Sequence, residues 1–222
     1  EGVHPDDLRR CLDIYVGHFD QRLPFNMDYR LRHADGSYRW LTDHGVPRFD
    51  AEGAFQGYIG SCVDITERKQ AEETIRKLAT AIEQCPVSIV ITDLQGAIQY
   101  VNPKFIEVTG YSLTEAIGQN PRILKSGEKP LEAYKELWDT VLSGKTWRGE
   151  LHNKRKNGEL YWEQSNISPI RNEKGDIISI VAVKEDITAQ KQAEEEKAKL
   201  QVQLQQSQKM ESLGTLAGGV AH

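Results

Sequence analysis

The chain has 222 residues, 38% of them hydrophobic and 27% charged, which suits a folded protein and excludes a low-complexity one. A net charge of −5 and a pI near 5.7 exclude the basic footprint of a nucleic-acid binder. No apolar run reaches the ~18–20 residues of a membrane span, and the polar opening residues lack a secretory signal. Cys11, Cys62 and Cys85 are odd in number and without metal spacing, so they read as reduced thiols of a cytoplasmic chain.

The predicted elements come in two runs related by one offset. A shift of 122 residues places Trp40 on Trp162, Pro47 on Pro169, and Asp64-Ile65-Thr66 on Asp186-Ile187-Thr188. It also places Lys69-Gln70-Ala71-Glu72-Glu73 on Lys191-Gln192-Ala193-Glu194-Glu195 without a gap. The first run therefore holds three long strands and enters a charged helix, but lacks the two strands and first helices that open the second. An incomplete sheet with an exposed edge is expected there. Asp6-Asp7 reads as helix surface, as does the run Glu194–Glu196.

Between the runs, residues 66–83 are rich in Glu, Lys, Gln and Ala without Pro or Gly, a helical composition. The second run then opens with β-branched segments at 88–93 and 97–101 around a Leu94-Gln95-Gly96 turn. Asn102-Pro103 starts a short helix that stops at Gly110, and Ser112 with Glu115 forms a capping box before another. Residues 118–127 read as a loop. Pro130 then opens a helix whose Leu131, Tyr134, Leu137, Trp138 and Val141 make one apolar stripe. Three longer strands follow at 147–154, 159–170 and 177–185, the first two joined by Asn157-Gly158, a hairpin signal. Thr66 and Thr188 stand where they can cap the following helices, with Asp64 and Asp186 near the positive helix end.

Residues 188–207 repeat the helical composition. Beyond them Met210, Leu213, Ala217 and Val220 are spaced as the a/d seam of a paired helix, which leaves His222 off the seam. Leu200 and Leu204 lie on a seam of different register, so a register break is expected near Ser207. A parallel coiled coil, and hence a homodimer, is expected.

The order β-β, short helices, β-β-β describes an α+β fold with a five-stranded antiparallel sheet. In that order, with the Asp-Ile-Thr exit and the Asn-Gly hairpin, the chain resembles the PAS sensor family with its C-terminal PAC segment. His4-Pro5-Asp6-Asp7 is similar to a helix opening of the same family. The resemblance implies a partial copy at 1–69, a helical linker at 70–85, a complete copy at 86–188 and a coiled-coil linker at 189–207. Residues 208–222, with Met210-Glu211-Ser212-Leu213-Gly214 and Ala217 to His222, resemble the start of the dimerisation and phosphoacceptor helix of sensor histidine kinases. That implies His222 as phosphoacceptor, its neutral ring nitrogen the nucleophile, and a response-regulator receiver domain as partner. Neither the Asn-rich box nor the Gly-rich lid of an ATP-binding domain occurs, so this portion is expected neither to bind ATP nor to phosphorylate itself. In the resembling proteins Asp64, Thr66, Asp186 and Thr188 sit where the sensor meets its output helix; plain capping explains them equally.

Gly118-Gln119-Asn120-Pro121-Arg122-Ile123-Leu124 resembles the flavin-contacting helix of light-oxygen-voltage domains, with Pro121 in place of the adduct-forming cysteine. The pattern, with Trp138 and Trp147, also looks like redox-sensing PAS domains that hold FAD. The resemblance implies FAD or FMN in the second copy, with Asn120, Arg122, Trp147, Asn153 and Glu163 around it. The offset sets Leu31 against Asn153 and Leu41 against Glu163, so the first copy should hold none. The plainer alternative puts Asn153 and Glu163 on the solvent side of their strands. Haem is disfavoured because the helix after Pro130 has no histidine. His152 neighbours Asn153 and faces the other way. No metal site and no local Ser/His/Asp arrangement occurs. The leading expectation is the sensory region of a histidine kinase. The alternative is a ligand-sensing or interaction module of another signalling protein, such as a diguanylate cyclase.

Overall fold

A computed structural model describes residues 2–128 and 130–219; the side chains of Leu131, Ser207 and residues 209–219 lie outside the description. The chain divides into two compact units between Ala79 and Thr80.

The first unit opens with helix α1 (Pro5–Gln21), followed by strands β1 (Phe25–Arg32), β2 (Tyr38–Phe49) and β3 (Phe55–Asp64) in an antiparallel sheet of order β1-β2-β3. His4 caps α1 and Pro5 occupies its first turn, where the missing N–H is no loss. Asp7 does not lie on the helix surface. It turns inward and takes three hydrogen bonds from Arg30 on β1, through the backbone N, Nε and Nη2, at 2.8–3.1 Å. Tyr15 and Phe19 of α1 continue the contact with an aromatic cluster of Phe25, Phe55 and Tyr58. Among the described residues no strand pairs with the second edge of β3. Helix α2 (Thr66–Glu83) leaves the unit.

The second unit is a five-stranded antiparallel sheet of order β5-β4-β8-β7-β6: β4 (Ser88–Thr92), β5 (Ile98–Val101), β6 (Trp147–Lys154), β7 (Leu160–Arg171) and β8 (Ile177–Asp186). The bounds of β6, β7 and β8 are those of β1, β2 and β3 shifted by the same 122 residues. Between β5 and β6 run the short helices α3 (Pro103–Thr109) and α4 (Leu113–Ala116), a 3₁₀ turn Pro121–Leu124, and helix α5 (Leu131–Leu142). Asn102 nucleates α3: its Oδ1 accepts the amides of Ile89 and Phe105, and its Nδ2 donates to the carbonyls of Ile82 and Val87. The Ser112–Glu115 capping box opens α4. The inward residues of the sheet (Val90, Ile98, Val101, Ile167, Ile180, Ala182) pack against Phe105, Ala116, Leu124, Leu137 and Val141 as one core.

One expectation changes. Residues 118–127 are not all loop, because Asn120 accepts the Arg122 amide at 3.1 Å and Pro121 fixes the first φ, which winds one 3₁₀ turn. Helix α6 (Thr188–Gly219) runs uninterrupted past Ser207, a continuity compatible with a register break of a paired seam there. Met210, Leu213 and Ala217 lie within its backbone; Val220 and His222 lie outside the described residues. No helix among the described residues is long and apolar enough to cross a membrane.

Candidate functional site

The site is a cavity of about 110 Å³ in the second unit, between the inner face of the sheet and helix α5. Strand alternation builds one wall: Val90 and Thr92 from β4, Leu151 and Asn153 from β6, Ile167 from β7, and Ile180, Ala182 and Lys184 from β8. The apolar stripe of α5 builds the other with Tyr134, Leu137, Trp138 and Val141. The 3₁₀ turn supplies the mouth with Asn120, Pro121, Arg122 and Lys125. Lys125 also bridges to Asn153 at the sheet edge, which ties the mouth to β6.

One end of the wall is a buried polar network centred on Glu163. Its carboxylate receives hydrogen bonds from Lys184 Nζ at 2.8 Å, Ser165 Oγ at 2.8 Å, Asn153 Nδ2 at 3.2 Å and Tyr161 OH at 3.1 Å. Glu163 is 2%, Asn153 3% and Lys184 6% exposed, so the Lys184–Glu163 contact is a buried ion pair. Burial, then the neighbouring Glu163 charge, pushes the Tyr161 hydroxyl far above its ordinary value, so it stays protonated and donates. At the mouth, burial and then the nearby Arg122 charge lower Lys125, whose Nζ sits 3.4 Å from the centre of the Tyr134 ring. Neither Arg122 nor Lys125 has an anionic partner among the described residues.

The sequence-predicted residues are only partly brought together. Asn120, Arg122 and Asn153 line the cavity. Glu163 does not line it, because its carboxylate is occupied behind Lys184 and Asn153. The solvent-facing alternative for Asn153 and Glu163 is overturned by their burial. Trp147 packs against the core away from the cavity, whereas Trp138 lines it. His152 lies on the opposite face of the sheet, where it stacks on Trp162 at 4.5 Å and meets Glu128 through Nδ1. Lys184, Thr92 and Lys125 were missed. The first two had a signal in alternation: Lys184 follows Ile180 and Ala182 on one face of β8, and Thr92 follows Ser88 and Val90 on β4.

The strand that lines the cavity also launches the exit helix. Asp186 Oδ1 accepts the Thr188 amide at 2.9 Å, and its Oδ2 pairs with Arg155 Nη2 at 2.7 Å. Burial opposes the Asp186 charge, but bonds from Thr188 and Arg155 outweigh it and hold the carboxyl below its ordinary value. Thr188 Oγ1 accepts from the Trp162 amide at 2.9 Å instead of capping its own helix, as Thr66 Oγ1 does from Trp40. No cluster of potential metal ligands occurs among the described residues.

Residues 86–189 match the family described as PAS domain, and residues 1–62 match the one described as PAS fold. The chain thus carries PAS domains, one match in each unit, and these are sensory domains of the kind found in signalling proteins. It is 42% identical over 109 residues to the nitrogen fixation regulatory protein of Klebsiella oxytoca, which covers 49% of this chain and 22% of that protein. It is 28% identical over 142 residues to hybrid signal transduction histidine kinase L of Dictyostelium discoideum, covering 64% of this chain and 8% of that one. The chain thus spans about a fifth of the length of the first curated relatives it matches. Among solved structures, an RNA-binding light-oxygen-voltage receptor aligns over 90% of this chain and 88% of its own, with a TM-score of 0.51 and 13% identity, a likeness of fold alone.

Proposed function

We propose that the chain is the sensory and signal-transmitting region of a two-component sensor histidine kinase, its second PAS unit binding a flavin, FAD or FMN. The observation that carries the reading is that one strand, β8, supplies Ile180, Ala182 and Lys184 to the cavity and Asp186 to the start of α6. A ligand that shifts β8 therefore acts directly on the base of a long helix leading toward His222. Paired α6 helices make the protein a homodimer, and a response-regulator receiver domain takes the phosphoryl group from His222.

The residues present fit the polar and apolar parts of a flavin. The walls are apolar, Asn153 stands at one edge, and Arg122 and Lys125 offer unneutralised charge for a phosphate. At about 110 Å³ the cavity is of single-ring size, since a cavity of roughly 150 Å³ takes benzene. A three-ring ligand therefore needs the Pro121–Leu124 turn to move outward. Bound flavin would supply a redox-dependent charge.

An absorption spectrum of the purified protein, with and without FAD or FMN added, tests the ligand. Flavin bands that co-purify or reconstitute are expected, and Asn153→Leu should release the flavin or shift its spectrum; no bands after reconstitution removes the flavin. For the output, a longer chain with its catalytic domain should lose all labelling from ATP when His222 becomes Gln. Persistent labelling ends the kinase assignment.

A further inference from the structure

Among the described residues, one buried side-chain polar atom lacks a hydrogen-bond partner. Asn153, Ser165, Glu163 and Lys184 satisfy one another, and Thr109 and Asn102 bond to backbone. Thr92 Oγ1 has no hydrogen-bond partner in the described structure, although Thr92 is only 5% exposed. A buried hydroxyl without a partner is uncommon in native proteins and calls for a specific explanation. Its position supplies one. Thr92 alternates with Ser88 and Val90 on the inner face of β4 and lines the cavity. Its ladder partners are Ile98 on β5 and Ile180 on β8, whose side chains have nothing to donate or accept. Gly96, with φ of 85°, stands just beyond; a Cβ there would meet the Trp138 ring at 3.2 Å, so this end of the cavity is closed tightly around its aromatic wall.

We infer that Thr92 is a ligand-recognition residue: its hydroxyl hydrogen-bonds the polar edge of a flat aromatic ring held between the sheet and Trp138. Thr92 thus stands at the end of the wall away from the buried polar network. Thr92 lies level with Ile180, and Lys184 is four residues further along β8, about 13 Å at the usual strand rise. Apolar residues line the space between. A ring that is apolar on its faces and polar at its edge is the chemical class this wall selects. The inference rests on the reading of this cavity as the sensor site, and it holds for any such ring.

The test uses the whole chain as wild type, Thr92→Val and Thr92→Ser, with four probes: benzene, phenol, FMN and FAD. Valine keeps the shape and deletes the hydroxyl. Without ligand, T92V should raise the unfolding temperature by roughly 2–4 °C, because an unmatched group has gone, while T92S stays near wild type. With ligand the sign reverses. The phenol-to-benzene affinity ratio should fall about 3- to 10-fold in T92V, and affinity for FMN or FAD should fall by a similar factor. T92S should retain both. A T92V chain that melts lower or fails to fold overturns the inference, since the hydroxyl then has a partner inside the fold. An unchanged phenol-to-benzene ratio, or no binding of any probe, also overturns it. If FMN and FAD fail to bind while the phenol preference behaves as stated, the flavin reading falls and Thr92 stands. If the flavins bind T92V and wild type equally and the phenol preference is absent, Thr92 falls and the flavin stands.

Discussion

Where β8 hands over to α6, the Thr188 amide donates to Asp186, the Trp162 amide donates to Thr188, and Lys191 pairs with Glu150 at 2.8 Å above the Trp162 ring. Where β3 hands over to α2, Thr66 bonds Asp64, Trp40 bonds Thr66, and Lys69 pairs with Asp28 at 2.9 Å above the Trp40 ring. These contacts correspond one to one across the 122-residue offset; only the arginine on the aspartate differs, Arg155 on Asp186 at 2.7 Å and Arg39 on Asp64 at 3.5 Å. The interiors share nothing of the kind. Where the second unit buries Asn153, Glu163 and Lys184, the first has Leu31, Leu41 and Cys62, and Cys62 is exposed. A junction that keeps the same cap, tryptophan and lysine contacts beside two unlike interiors is a mounting for the exit helix. Whatever distinguishes the signal of one unit from that of the other must come from the residues facing the core.

The sharpest way to break that comparison is to strip the buried charges from the second unit, one residue at a time. Lys184→Met leaves the Glu163 carboxylate buried beside Tyr161, Ser165 and Asn153 without a cation, and should cost about 3–5 kcal/mol. Adding Glu163→Leu, the residue the first unit carries, should recover most of it, because a buried ion pair replaced by apolar groups is often close to neutral. Urea unfolding of wild type, single and double variants measures both. A double variant as unstable as the single one would show that Glu163 has a role beyond answering Lys184.

A smaller effect of the opposite kind belongs to the first unit. Hydrogen bonds from the Arg30 side chain, with its backbone N–H and charge, hold the Asp7 carboxyl down to about 2 against burial. The folded value lies below the unfolded one near 3.8, so the stabilisation is complete above pH 4 and disappears as pH falls toward 2. About 2 kcal/mol should vanish over that window. Asp7→Asn should flatten this acid limb, read as hydrogen exchange of β1 against pH. An unchanged limb would mean that another carboxylate controls it.

These two cases show what the sequence discloses. Trp147–Lys154 is legible to the residue because Asn157-Gly158 fixes the hairpin and hence the register. The shared exit is legible because the repeat states it twice. The Pro121–Leu124 turn is not legible, since it depends on one Asn–Pro cap inside a run with no periodicity. Asp7 and Lys184 are obscured for a physical reason: charged side chains are surface residues by default, and only a partner from a distant strand buries them. Asn153 and Glu163 could be placed as a pair, but not as one carboxylate already satisfied by four donors.

The likeness of the junctions predicts equal losses. Thr66→Val and Thr188→Val each leave a Trp amide without its acceptor and should each cost about 1 kcal/mol, read by local hydrogen exchange in the first turn of α2 and of α6. A loss confined to Thr188 would mean that the second junction is tuned by the cavity beside it.

The least effect tests the outermost layer of the same junction. Lys69 and Lys191 each combine one ion pair with one contact over a tryptophan ring, at 5.2 and 5.6 Å from the centroid. Both lysines are about a third exposed, so solvent screens the charge and each contact contributes little. Lys69→Gln and Lys191→Gln should therefore lower stability slightly and equally, and 1 M salt should erase most of the difference from wild type. The residue of the effect that survives salt belongs to packing of the aliphatic stem on the ring, and Lys→Met at either position should retain it. If Lys191→Gln alone changes on loading the cavity with ligand, the outer layer of the second junction responds to the interior, and the two mountings are alike only when empty.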